Sequence, residues 1–158
     1  VMDWTIGETA EVAPLVPLLA QMHAIHVAAR PDLFRLPPDH SAYAAELEGM
    51  LGDGMTAVVA EGPGAAALGY AVLAIEERAA SALCLPRRWG VLHHVAVDAA
   101  WRGRGIGAAL LAEAVERARA AGASHVSGSH WAFNDASAAL MRRAGLSPYL
   151  VPVGAPLS

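Results

Sequence analysis

The sequence predicts an α/β fold of the α+β kind, with one mixed, mostly antiparallel sheet of six to seven strands flanked by about four helices. Three observations predict it. Apolar periodicity alternates between strand and helix spacing in the order β-α-α-β-β-β-α-β-α-β. Two hairpin-like steps follow one another between residues 55 and 97, the pattern of antiparallel pairing. A glycine-rich turn then joins a strand to an amphipathic helix.

Trp4 and Ile6 alternate with polar neighbours and open the first strand. Residues 11–30 read as a helix, with Leu15, Leu18, Leu19, Met22, Ile25 and His26 at helical spacing. Pro14 and Pro17 fall in its first turns, where proline is best tolerated. The proline-rich segment 31–38 is a loop placed to cover or recognise something. Asp39 or Ser41 caps a second helix through Leu51, stopped by Gly52 and Gly54. Strands are expected at Met55–Glu61, Ala67–Glu76 and Trp89–Val97. Gly105–Ala121 is an amphipathic helix closed by Gly122. A short strand at Ser124–Ser129, a helix capped by Asn134 or Asp135 and running to Ala144, and a last strand at Leu146–Val153 complete the order.

The 158 residues (16.3 kDa) suit a single domain over 1–158, long enough to bury a core without disulfide support. The lone cysteine, Cys84, excludes an intramolecular disulfide and points to a cytoplasmic protein. Mean hydropathy is +0.37, yet 36 of the residues are alanine, and no apolar run reaches the ~18 residues of a membrane span. The chain has no lysine, so all eleven fixed basic side chains are arginine. A formal charge of -4 and a pI near 5.9 argue against nonspecific nucleic-acid binding. His23-x-x-His26 is too sparse for a metal site, so no metal is expected.

The sharpest motif is Val95-Ala96-Val97-Asp98-Ala99-Ala100-Trp101-Arg102-Gly103-Arg104-Gly105-Ile106-Gly107. A strand enters a glycine-rich turn that opens a helix. Convergent backbone N–H groups and a helix start together hold an anion, here read as a pyrophosphate. Arg102 and Arg104 add charge. A Walker A loop is excluded by the missing lysine, and Gly103-x-Gly105-x-Gly107 lacks the spacing of a dinucleotide fingerprint. The bland alternative is a tight turn held by arginine salt bridges.

Arg102-x-x-Gly105-x-Gly107 resembles the acetyl-CoA signature of the GCN5-related N-acetyltransferases (GNAT). The strand and helix order resembles the acyl-CoA N-acyltransferase fold over nearly the whole chain. A weaker match runs from Asn134 through Leu140 to Gly145-Leu146, with departures at Ser137, Met141 and Leu146. The resemblance implies transfer of acetyl from acetyl-CoA, as cosubstrate, to the primary amine of a small molecule or peptide. It implies that the backbone along Val95, Ala96 and Val97 binds the pantetheine arm. The amides from Arg102 through Gly103, Arg104, Gly105 and Ile106 to Gly107 would then hold the pyrophosphate, and Asn134 would lie near the thiol end. Many members carry a tyrosine acid where this chain has Met141. Many also pair through their C-terminal elements, which makes Leu146–Leu157 a candidate homodimer surface. Pro148, Pro152 and Pro156 would limit strand pairing there.

Attack of an amine on a thioester needs a proton acceptor. His93, His94 and His130 are the candidates, since imidazole titrates near neutrality. Strand alternation puts His93 with Val95 and Val97, and His94 with Ala96. Glu61 is a further candidate. Trp131-Ala132-Phe133 and the group His23, His26 and Phe34 are candidates for lining or covering the acceptor site. An acyl-CoA-binding sensor with little turnover is the competing reading, motivated by Met141.

Overall fold

The protein is described by a computed structural model covering residues 3–157. Among those residues it has five strands and four α-helices. They are β1 (Thr5–Thr9), α1 (Val16–Ala29), α2 (Ser41–Gly52), β2 (Thr56–Glu61), β3 (Ala67–Arg78), β4 (Arg87–Val97), α3 (Ile106–Ala120), β5 (His125–Gly128) and α4 (Asp135–Arg143). The strands lie in chain order across one sheet. β1 to β4 pair antiparallel, and β5 joins β4 in parallel.

Both faces of the central strands are covered, which is why β2 and β3 read as apolar runs rather than as alternation. Ala57, Val59, Tyr70, Val72 and Ala96 pack under α1 and α2 with Leu15, Leu19, Tyr43 and Leu47. The intervening Val58, Ala60 and Ala71 face α3 with Ile106 and Leu110. Farther along, Leu73 and Leu92 meet Leu111, Ala114 and Ala118 of α3 and Met141 of α4. Gly69 is needed for this closeness: a Cβ there would lie 2.8 Å from the Ala96 carbonyl oxygen. Arg117 of α3 pairs with Glu113 at 2.9 Å and also with Glu8 of β1, tying the edge strand to the helix.

The expected strand over Leu146–Val153 does not form, so the sheet has five strands rather than six or seven. Residues 147–157 are exposed and carry no regular structure. Pro148 and Pro152 each remove an N–H that a sheet ladder would need. Other boundaries move by a few residues. α1 starts at Val16 behind a single 3₁₀ turn at Ala13–Leu15, and β3 and β4 are each two residues longer than expected.

Candidate active site

The site is built where the sheet comes apart. β4 pairs with β5 only from Trp89 opposite His125 to Leu92 opposite Gly128. Beyond that point β5 has ended, so His93 to Val97 have no strand on that side. The break coincides with a bulge. Pairing with β3 passes from Val72 opposite His94 to Leu73 opposite Leu92, leaving His93 without a partner. The bulge also resets the alternation, because Leu92 and Val95, three residues apart, both pack on the α3 side. The alternation that puts His93 on one face with Val95 and Val97 therefore does not carry across the bulge, while His94 and Ala96, opposite Val72 and Tyr70, lie together on the α1 side. An alternation rule assumes one residue opposite one, and a bulge places two opposite one.

β4 runs directly into the glycine-rich turn. Gly103 and Gly105 have φ of +76° and +85°, in the region that other residues avoid. Gly105 is the residue before α3, and the first bond onto it runs from Ala109 N–H to the Gly105 carbonyl at 3.0 Å. The amides of Ile106, Gly107 and Ala108 thus precede the helix's own hydrogen bonding. The turn is pinned from behind. Asp98 accepts from Ala100 N–H at 2.9 Å, and Gln21 of α1 both donates to Asp98 (2.9 Å) and accepts from Ala99 N–H (3.0 Å). Neither Arg102 nor Arg104 joins a salt bridge among the described residues, which removes the salt-bridged-turn alternative. Arg102 Nε instead donates to the Val97 carbonyl at 3.1 Å, and Arg104 stacks on Trp101 at 4.6 Å.

The three candidate histidines differ in state. His94 lies beneath α1, where Tyr70 Oη and His94 Nδ1 are 3.0 Å apart. Tyr70 is fully buried and this is its one hydrogen bond, so its hydroxyl must donate. His94 Nδ1 accepts and Nε2 carries the proton. Burial, followed by the fields of His93 and His26, pushes the His94 pKa down to about 4, so the ring is neutral near pH 7. Burial, with Glu46 adding to it, pushes the Tyr70 hydroxyl above its usual range. His130 is exposed in the loop after β5, with Nδ1 3.1 Å from the Trp131 carbonyl oxygen. A carbonyl can only accept, so Nδ1 carries the hydrogen in that contact. Glu61 ends β2 opposite Thr5 of the far edge strand and does not line the cleft.

One cleft of about 3280 Å³ joins the β4 edge and the turn to α1, the loop after it and the β5–α4 loop. Phe34 lies edge-on to Trp131 at 5.4 Å and stacks with His26 at 5.5 Å. Phe133 reaches both Trp131 and His26, at 6.2 and 6.0 Å.

The family model of the acetyltransferase (GNAT) family matches residues 19–146. The chain belongs to that family. No curated protein sequence matches it. Among solved structures, a mutant of the BH1408 protein of Bacillus halodurans superposes with a TM-score of 0.85 at 22 % identity, covering 98 % of this chain and 99 % of that one. A transcriptional regulator from Bacillus halodurans C-125 gives 0.73 at 19 % identity, over 98 % and 99 % of the two chains. An aminoglycoside acetyltransferase from an uncultured soil metagenomic sample, in complex with sisomicin, gives 0.71 at 17 %, over 99 % and 97 %. These likenesses show the fold. The family assignment makes the chain an acetyl-CoA-dependent acyltransferase.

Two further features of this GNAT chain lie on α4. Asn134 caps α4, its Oδ1 accepting from Ser137 N–H at 3.0 Å. Met141 is buried in the core with Leu92 and Leu111, and a Cβ on Gly128 would touch its Cε at 3.4 Å. Sequence reasoning passed over Tyr70 and Glu46. Tyr70 sits within an apolar strand and reads as core, and Glu46 reads as one more exposed helix carboxylate. Only the fold sets Tyr70 against His94 and brings Glu46 within the field of Tyr70.

Proposed function

We propose that the protein transfers the acetyl group of acetyl-CoA to a primary amine in a ternary complex. The observation that carries the reading is the meeting of an open β4 edge with a turn of unpartnered amides and unpaired arginines. The residues present fit acetyl-CoA. The positive-φ turn at Gly103 and Gly105 leaves the backbone bare for a pyrophosphate, since a Cβ at either glycine would meet nothing within 4 Å. Val95 and Val97 turn backbone groups to the open edge for a pantetheine arm, with Ala96 between them paired to Tyr70 of β3, and the Asn134 side chain caps α4. Bound acetyl-CoA supplies an activated thioester carbonyl.

The amine nitrogen attacks that carbonyl, a C–N bond forms and the C–S bond breaks. The nitrogen gives up a proton and the sulfur leaves as thiolate, to be protonated by water. His130 accepts the proton through its free Nε2. His94, held with Nε2–H outward from Tyr70, is a hydrogen-bond donor rather than a base. His93 adds a third imidazole at the bulge, and a backbone N–H near Val97 polarises the carbonyl.

A CoA-binding sensor with little turnover is favoured by one observation, the burial of Met141 where an acid would otherwise stand. Melting temperature with acetyl-CoA, CoA and ATP tests the cradle, since a ligand bound only by the native state raises it. Mass spectrometry of an amine panel then separates the readings. An N-acetyl product supports the transferase. A rise in melting temperature with no product supports the sensor, and no rise at millimolar acetyl-CoA overturns both.

A further inference from the structure

We infer that the acceptor is a primary amine with a single positive charge and a flat aromatic body, seated against the exposed edges of the touching Phe34 and Trp131 rings. The inference rests on the transferase reading and adds the substrate class. Phe34, Trp131, Phe133 and His26 come from the loop after α1, from the β5–α4 loop and from α1 itself, yet they form one ring-to-ring cluster across the cleft mouth. None of them belongs to the three core clusters, so packing of the fold does not account for the assembly. Trp131, which lines the cleft, remains 37 % exposed with the Arg30 guanidinium 5.7 Å above its ring, which leaves its remaining edge and face for another ring.

Charge restricts the other half of the ligand. The cleft lining has six arginines and two carboxylates, Asp32 and Glu46. Asp32 is held by a bidentate pair with Arg30 at 2.8 and 2.6 Å. Glu46 is in no ion pair among the described residues and acts on Tyr70, the partner of His94. One free carboxylate suits one ammonium group. Of the six arginines, Arg30 and Arg119 are paired with Asp32 and Glu116, and Arg35, Arg102, Arg142 and Arg143, in no ion pair among the described residues, are left to repel a polycation.

The test compares 2-phenylethylamine, n-hexylamine and spermidine as acceptors, in the wild type and in Phe34→Ala. 2-Phenylethylamine should exceed both others in kcat/KM by at least about tenfold, the scale of two ring contacts. Phe34→Ala should remove most of that advantage through KM and change hexylamine less than about threefold. Phe34→Leu should act in the same direction, and both variants should keep the wild-type rise in melting temperature with CoA, which separates a lost ring from a lost fold. Equal or better turnover of spermidine or hexylamine, or an equal loss for every amine in Phe34→Ala, overturns the aromatic site and leaves the transferase standing. Calorimetric binding of 2-phenylethylamine to the CoA-saturated protein with no product from any amine keeps the site and overturns the transferase. Neither binding nor product overturns the inference.

Discussion

Tyr70 Oη donates to His94 Nδ1 across 3.0 Å, joining a fully buried hydroxyl on β3 to the imidazole beside the β4 bulge. The bond fixes the tautomer of His94 and leaves Nε2–H as its outward group. Tyr70→Phe removes the donor and strands Nδ1. Stability should fall by about 1–2 kcal/mol, the cost of an unsatisfied buried acceptor. With the tautomer free, kcat should drop several-fold while KM for acetyl-CoA stays the same. Chemical denaturation and steady-state kinetics check the two halves separately.

The same histidine makes stability depend on pH. Unfolded, His94 takes a proton below its ordinary value of 6.5, whereas folded it resists until about 4. The unfolded chain binds more protons between these limits, so acid favours unfolding. The contribution is complete above pH 6.5 and is lost as pH falls toward 4, up to ~3 kcal/mol in all. Stability measured from pH 8 to 4 should decline over that window, and His94→Gln should flatten this part of the curve. An unchanged slope in the variant would place the acid sensitivity elsewhere.

The turn was legible from the sequence because its signals are local. Glycines at 103 and 105, arginines beside them and an apolar helix behind them are adjacent along the chain, and the φ of +76° and +85° agree with that reading. The features that depend on pairing were not. Nothing in His93-His94 announces a bulge, which exists only relative to β3. Leu146–Val153 has strand composition, but its prolines leave too few donors for a ladder, and the segment stays exposed. Phe34 and Trp131 lie almost a hundred positions apart in the chain, so their contact belongs to the fold alone.

Gly105 and Arg102 test the cradle in different ways. Gly105→Ala puts a Cβ on a residue at φ +85°, which costs about 1–2 kcal/mol of strain. It also shifts the amides that open α3, so KM for acetyl-CoA should rise along with the loss of stability. Arg102→Ala strains nothing but removes a cation and the anchor on the Val97 carbonyl. Its KM for acetyl-CoA should rise about tenfold, the scale of a charged hydrogen bond, with little change in melting temperature. The rise should shrink in high salt, where wild-type binding also weakens.

Met141 decides whether the missing tyrosine is a lost acid or a different design. Its side chain is 9 % exposed and packs with Leu73, Leu92, Leu111 and Ala114, close to Gly128 where β4 and β5 part. A tyrosine ring is larger than this space, and overpacking of a filled core costs about 1–3 kcal/mol. Met141→Tyr should therefore lower the melting temperature and leave kcat unchanged or reduced. Met141→Leu keeps the volume and should cost less than about 1.5 kcal/mol with kcat retained. A tenfold gain in kcat for Met141→Tyr would show that the thiolate waits for a proton. Unchanged kcat in Met141→Tyr, with the Met141→Leu variant also at wild-type kcat, is the outcome expected if water protonates the thiolate.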